Sequence, residues 1–236
     1  MSGRVAKRFW KTAEAVEAGG GFAVHLDGRP IRTPAKAPLI VPTRSLAQGI
    51  AAEWGAQGER IDPRTMPLTR AANAAIDKVR PQQAEVAALI ADYGGTDLLC
   101  YRAEGPEALV ARQALAWDPL LDWAARDLGA RLVVTAGVIP VAQDGAAVAA
   151  LAARVAALDA FELAAVHDLV AITGSLVLGL AAASGRLSAE AAWDIARLDE
   201  AWQIEHWGED EDAAAEAALK RAALLDAARF LGLARG

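Results

Sequence analysis

The hydrophobic period of this chain turns from two to mostly helical at Pro42, and that change constrains the fold more than any other feature of its 236 residues. Before it, Phe22, Val24 and Leu26 alternate with Ala23, His25 and Asp27, a period of two that sets the first three on the buried face of a strand. Gly19-Gly20-Gly21 turns the chain back from a partner strand within Arg8 to Glu17. Asp27-Gly28 is a tight turn into Arg29 to Thr33, so three strands form a meander. Pro30, Pro34 and Pro38 cannot donate to a ladder, which leaves Leu39 to Val41 the role of a short edge strand.

Beyond Pro42 the period is helical. Thr43 reads as an N-cap, and Leu46, Ile50 and Trp54 recur on one face until Gly58, predicting a helix that covers the sheet with Trp54 as a structural residue. Helical spacing resumes from Thr69 to Val79 and again at Val86, Leu89, Ile90 and Tyr93 after Pro81. Two strand candidates interrupt it, Asp97 to Arg102 and Arg131 to Val141. Pro106 opens a further helix in which Asp118-Pro119 marks either a kink or a fresh start. Asp144, Asp159 and Ser188 read as caps of later helices, and a last helix runs to about Phe230 after Trp207-Gly208. The apolar run Leu169 to Ala183 reads as one buried core helix whose Gly174, Ser175 and Gly179 permit a close crossing; it is shorter than the roughly 20 residues a membrane span needs. The expected fold is α+β, with a small antiparallel β-rich domain over residues 1–66 and a mainly helical domain over 67–236.

Charge and cysteine content narrow the function. With 24 basic against 30 acidic side chains the net charge is -6, which repels a phosphate backbone and argues against nucleic acid or an anionic membrane as partner. A single cysteine cannot form an internal disulfide and offers no Cys-x-x-Cys pair. No motif calls for a cofactor, a metal or a small-molecule substrate. Gly19-Gly20-Gly21 lacks the Lys-Ser/Thr pair of a phosphate loop, because Phe22-Ala23-Val24 continues as a strand, so it reads as a hairpin turn. His25 falls on the polar face of its strand, and His167 reads as a satisfied core histidine. His206 sits among Glu205, Glu209 and Asp210, where a metal site can be drawn, but Gly208 breaks the helical spacing that would aim the ligands. Cys100, beside Leu98 and Leu99, reads as a buried inert thiol. Gly174-Ser175-Leu176 lacks the elbow of a serine hydrolase.

Tryptophan is over-used, seven residues against two tyrosines and four phenylalanines. Trp193, Trp202 and Trp207 lie close to the acidic stretch from Asp199-Glu200 to Asp212, which joins the anchor residue of interfaces to charge that would select a basic partner. The alternative is that the rings fill a core and the acids complement the dipole of the final helix.

Blocks along nearly the whole chain resemble one family. They are Arg8-Phe9-Trp10-Lys11, Leu26-Asp27-Gly28-Arg29-Pro30 with Thr33-Pro34, Glu53-Trp54 with Gln57, Met66-Pro67-Leu68-Thr69, Thr96 to Arg102, Trp117-Asp118-Pro119, Thr173-Gly174-Ser175, and Asp199-Glu200 through Glu205 with Trp207-Gly208. The sequence resembles the assembly chaperones that bind the alpha subunit of the catalytic head of ATP synthase in mitochondria and alphaproteobacteria. The resemblance implies a non-enzymatic protein that holds the free alpha subunit until the beta subunit replaces it. Mitochondrial members carry a targeting segment absent from this sequence, so the expected location is the bacterial cytoplasm.

The residues expected to contact the client are Trp202, Glu205, Trp207 and Glu209. Glu205 lies near a helix C-terminus, where negative charge is unfavourable, so a basic group on a partner accounts for it better than stability does. The rival readings are a small hydrolase with a site around Glu205 and His206, which requires a metal or a deep polar pocket there, and a generic structural module.

Overall fold

The computed structural model describes residues 7–137 and 139–236; residues 1–6 and Val138, which fall within the N-terminal and Arg131 to Val141 readings, lie outside them. The chain folds as two compact units, one of Met1–Gln83, Asp159–Ala165 and Arg229–Gly236, the other of Ala84–Leu158 and Val166–Ala228. The division at 66/67 follows secondary-structure type instead.

In the first unit, β1 (Ala13–Ala18), β2 (Gly21–Leu26), β3 (Arg29–Pro30) and β4 (Ile40–Val41) form an antiparallel sheet with β2 at its centre. β1 pairs along all of β2, from Ala13 opposite Leu26 to Ala18 opposite Gly21, while β3 and β4 take opposite ends of its other side. Gly19 and Gly20 both adopt positive φ, +57° and +83°, as a two-residue hairpin requires. Val24 and Leu26 are buried as the alternation predicts, and Phe22 is half-buried with the Arg44 guanidinium 5.1 Å from its ring centre.

Helix α1 (Arg44–Gly55) packs on β1 and β2. The Thr43 hydroxyl caps it by accepting from Leu46 N at 3.2 Å, and Leu46 and Ile50 are fully buried. Trp54 is half-buried, edge-on to Trp10 with ring centres 5.1 Å apart. Near its C-terminal end the helix projects Glu53, whose carboxylate accepts from the backbone N–H of Leu68 and Thr69 at 2.7 and 2.8 Å. Those are orphan donors of the first turn of α2 (Pro67–Ala74), so a carboxylate from one helix caps the next. Buried Gln57 extends the joint, accepting from Asp62 N at 2.7 Å and donating to the Glu53 carbonyl. These contacts give a structural reason for the Glu53, Gln57 and Met66 to Thr69 blocks.

The helical run continues through a π turn at Ala75–Val79 and past Pro81 into α3 (Gln83–Ala91). Ile90 is buried there, but Leu89, counted into the apolar face, is 65% exposed. The Asp97 to Arg102 strand shortens to a 3-10 turn, Leu98–Cys100, and a two-residue β5 (Tyr101–Arg102). Asp97 is the reason: its buried carboxylate accepts from Leu99 N at 3.0 Å and turns the chain. Helix α4 (Glu107–Asp127) passes through Asp118-Pro119 without a fresh start, since Asp118 pairs with Arg102 at 2.8 Å instead of capping. Of the Arg131 to Val141 candidate, only β6 (Thr135–Ala136) is strand, parallel to β5.

Helices α5 (Gly145–Ala156), α6 (Ala160–Thr173), α7 (Leu176–Ala183) and α8 (Ala189–Ala196) follow, and the Asp144, Asp159 and Ser188 side chains cap α5, α6 and α8. The apolar run Leu169 to Ala183 is not one helix. Gly174, at φ +68°, ends α6, and the Ser175 hydroxyl starts α7 by accepting from Leu178 N at 3.0 Å. Only Gly179 serves the close crossing: a Cβ there would lie 2.3 Å from Val170 Cγ2. The Asp97 carboxylate closes the joint, taking the Ser175 hydroxyl at 2.7 Å and the N–H of Val177 at 2.9 Å. Burial pushes this carboxyl up, while hydrogen bonds from Val177, Ser175 and Leu99 oppose the rise. The chain ends with α9 (Leu198–Trp207) and α10 (Glu211–Arg235).

Candidate functional site

Three of the four predicted contact residues stand on α9, within the second unit. Trp202 is half-buried, whereas Glu205 and Trp207 are exposed, Trp207 to 77%. Gly208, with φ +89°, ends the helix immediately after that ring. Glu209 follows, exposed, and Asp210 caps α10 by accepting from Ala213 N at 2.8 Å. Glu211 and Asp212 lie in the first turn of α10, where they complement the helix dipole, as the alternative reading of the acidic stretch holds.

The scaffold behind α9 is α4. Buried Gln113 donates to Asp199 Oδ1 at 2.7 Å and accepts from Ala103 N at 2.9 Å; Trp117 Nε1 donates to the Ile195 carbonyl at 3.1 Å. The Gln113–Asp199 bond sets α4 against α9, the Trp117 bond ties α4 to the end of α8, and Arg112 stands opposite Glu205. The guanidinium binds the carboxylate in two-point fashion, Nη1 to Oε2 at 2.7 Å and Nη2 to Oε1 at 2.9 Å. Hydrogen bonds from Arg112 hold the Glu205 carboxyl below the usual carboxylate range. Glu205 therefore has a basic partner within its own chain, which answers the unfavourable helix-end placement without a client. Arg112 lies 93 residues away in sequence, and nothing local to either residue announces the pair.

Beside the pair, α4, α8 and α9 enclose an open groove of about 500 Å³ lined by Leu115, Ala116, Ile195, Ala201 and Ile204. Leu115 is 82% exposed and Ile204 39%. Sequence reasoning missed Arg112 and Leu115; the usable signal for Leu115 was an apolar residue off the buried Gln113–Trp117 face of α4.

The histidines do other things than expected. His206 stacks on Trp202, ring centres 4.3 Å apart, and its Nδ1 donates to the Trp202 carbonyl at 2.7 Å, so one nitrogen is committed to its own helix. His167 is exposed rather than in the core and pairs with Asp168 at 2.9 Å, which raises its pKa. Among the described residues no group of three or more His, Cys, Asp and Glu side chains is placed to hold a metal ion. No helix of the described residues is long and apolar enough to cross a membrane.

Exposed tryptophan, leucine and isoleucine beside carboxylates make this face of α4 and α9 the candidate surface for holding another protein. The ATP12 chaperone protein family matches residues 7–125. The crystal structure of Atp12 from Paracoccus denitrificans superposes with a TM-score of 0.95 at 56% identity, covering 98% of this chain and 99% of that one. The Atu1473 protein of Agrobacterium tumefaciens superposes with a TM-score of 0.91 at 44% identity, over 96% of this chain and 85% of that one. The mitochondrial protein atp12 of Schizosaccharomyces pombe is 26% identical over 219 residues, 88% of this chain and 75% of the yeast protein. The chain belongs to the ATP12 chaperone family, the ATP synthase assembly chaperones that its sequence resembles.

Proposed function

We propose that this chaperone holds the free alpha subunit of the catalytic head of ATP synthase in the bacterial cytoplasm, covering the surface that the beta subunit later takes, and that it does so without catalysis or cofactor. The single observation that carries the reading is Trp207, an exposed ring at the end of α9 two residues from a carboxylate. An isolated ring subunit presents an apolar interface that aggregates unless covered. A protein that binds that surface lowers the free concentration of the sticky state by mass action, and release follows when the true partner buries more area. In this reading Trp202 and Trp207 supply the anchors, Glu205 and Glu209 meet basic groups on the client, and Leu115 and Ile204 extend the apolar contact.

Separately purified alpha and beta subunits, each diluted from denaturant with and without the chaperone, test the proposal. Suppression of light scattering for alpha and not for beta is the expected result. Equal suppression of both subunits, or of neither, overturns it.

A further inference from the structure

The edges of the sheet in the first unit are unequal. β3 and β4 are two residues each, and prolines at 30, 38 and 42 restrict any partner on that side. β1 is six residues long, runs along β2 without a bulge and contains no proline or lysine. Among the described residues no strand and no backbone group pairs with its outer edge. Asp27 N donates to the Thr12 carbonyl at 3.1 Å, so Thr12 and Asp27 are a hydrogen-bonded pair. By the alternation of an antiparallel ladder, Glu14, Val16 and Ala18 also bond inward, and Ala13, Ala15 and Glu17 turn their N–H and C=O groups outward.

Such an edge is a template for another chain, and proteins ordinarily blunt one with lysine, proline, a bulge or a cover. The guard on β1 is negative charge alone. Glu14 and Glu17 are exposed, and neither has an ion-pair partner among the described residues. Two copies meeting at this edge would bring four carboxylates and no base. A basic strand meets complementary charge on both faces of the sheet, since Glu14 and Glu17 project to opposite sides.

We propose that β1 is a docking edge for an extended segment of a client protein bearing lysine or arginine on both of its faces, added as a fifth strand. The contact lies in the first unit and uses none of the α9 residues, so it stands or falls apart from the function proposed above. Its specificity comes from charge on the edge, its affinity from main-chain hydrogen bonds.

The test uses the full chain and a short valine-rich peptide with lysines three positions apart, which puts charge on both faces of the strand, with amide hydrogen exchange read residue by residue. Peptide should slow exchange at Ala13, Ala15 and Glu17 about tenfold, while Glu14 and Val16, already bonded to β2, change little. Ala15→Pro removes an outward N–H and no β1–β2 bond, so it should keep the sheet and weaken the peptide about tenfold. If that variant does not fold, Glu14→Lys with Glu17→Lys serves, because it leaves the backbone intact and reverses the edge charge; it too should lose the peptide. Unchanged exchange at the three amides, or binding that survives these variants, overturns the proposal. So does protection that grows with protein concentration in the absence of peptide, which would mean that a second copy occupies the edge. Selective suppression of alpha-subunit aggregation by an Ala15→Pro chain that no longer binds peptide would leave the proposed function standing and limit its contact to α9.

Discussion

Single side chains decide the joints of this fold. Asp97 forms no ion pair among the described residues; it is held by three donors, Leu99 N, Ser175 Oγ and Val177 N. Asp97→Ala strands all three in the interior at about 1–3 kcal/mol each, so urea unfolding should show a loss of at least about 3 kcal/mol. Cys100 is fully buried, and burial pushes its thiol up to about 12. It should resist thiol reagents at neutral pH in the native state and react at once in denaturant. Trp54→Arg replaces a half-buried ring packed on Trp10 with a guanidinium, and the soluble yield should collapse; a wild-type melting temperature would place Trp54 outside the structural role. Caps were the residues most legible in sequence, because Thr43, Asp144, Asp159 and Ser188 act within three positions of themselves. Arg112, Gln113 and the Asp97–Ser175 bond were illegible, since their partners lie 78 to 93 residues away. Ser175 shows the cost of reading a residue alone: set aside as a nucleophile, it joins a helix start to a buried carboxylate.

At the scale of elements, periodicity is read well where one face is buried over several turns and poorly where an element is two residues long. The three-strand meander and α1 follow from alternation and spacing. β5 and β6 are too short to show a period, and valine content drew the second candidate out to Val141 although Val133 and Val134 are exposed. Uniform hydrophobicity misleads in the opposite way: between Leu169 and Ala183 no polar residue other than Thr173 and Ser175 marks the break, and the left-handed Gly174 makes it. The crossing of α6 and α7 depends on Gly179, where even a methyl group meets Val170 Cγ2 and its backbone N at 3.2 Å. Gly179→Val should overpack that crossing and cost about 1–3 kcal/mol, seen as a lower urea midpoint with helical content retained in circular dichroism.

For the molecule as a whole, the candidate surface was half legible. Trp202, Glu205 and Trp207 were proposed from composition and family resemblance, but the candidate surface they share with Arg112 and Leu115 exists only once α4 and α9 are in register. Glu205→Lys should lose alpha-subunit capture while the melting temperature stays within a few degrees of wild type, because the exposed Arg112 bridge contributes little to stability. Its pH dependence has a definite sign. Arg112 lowers the folded-state pKa of Glu205, so the bridge contributes above the ordinary glutamate value of about 4.3 and is lost as pH falls through the lowered one; wild type and Glu205→Gln should converge in stability below that range. The same bridge gives the surface a resident ligand. On the function proposed above, a client cation that takes Glu205 would not add an ion pair; it would swap one, sending Arg112 into solvent. An exposed pair is worth little, so such a swap would cost little, and the displaced group would stay tethered within reach of its old partner. If its grip yields to another subunit, as proposed above, a contact that carries its own competitor would ease the release.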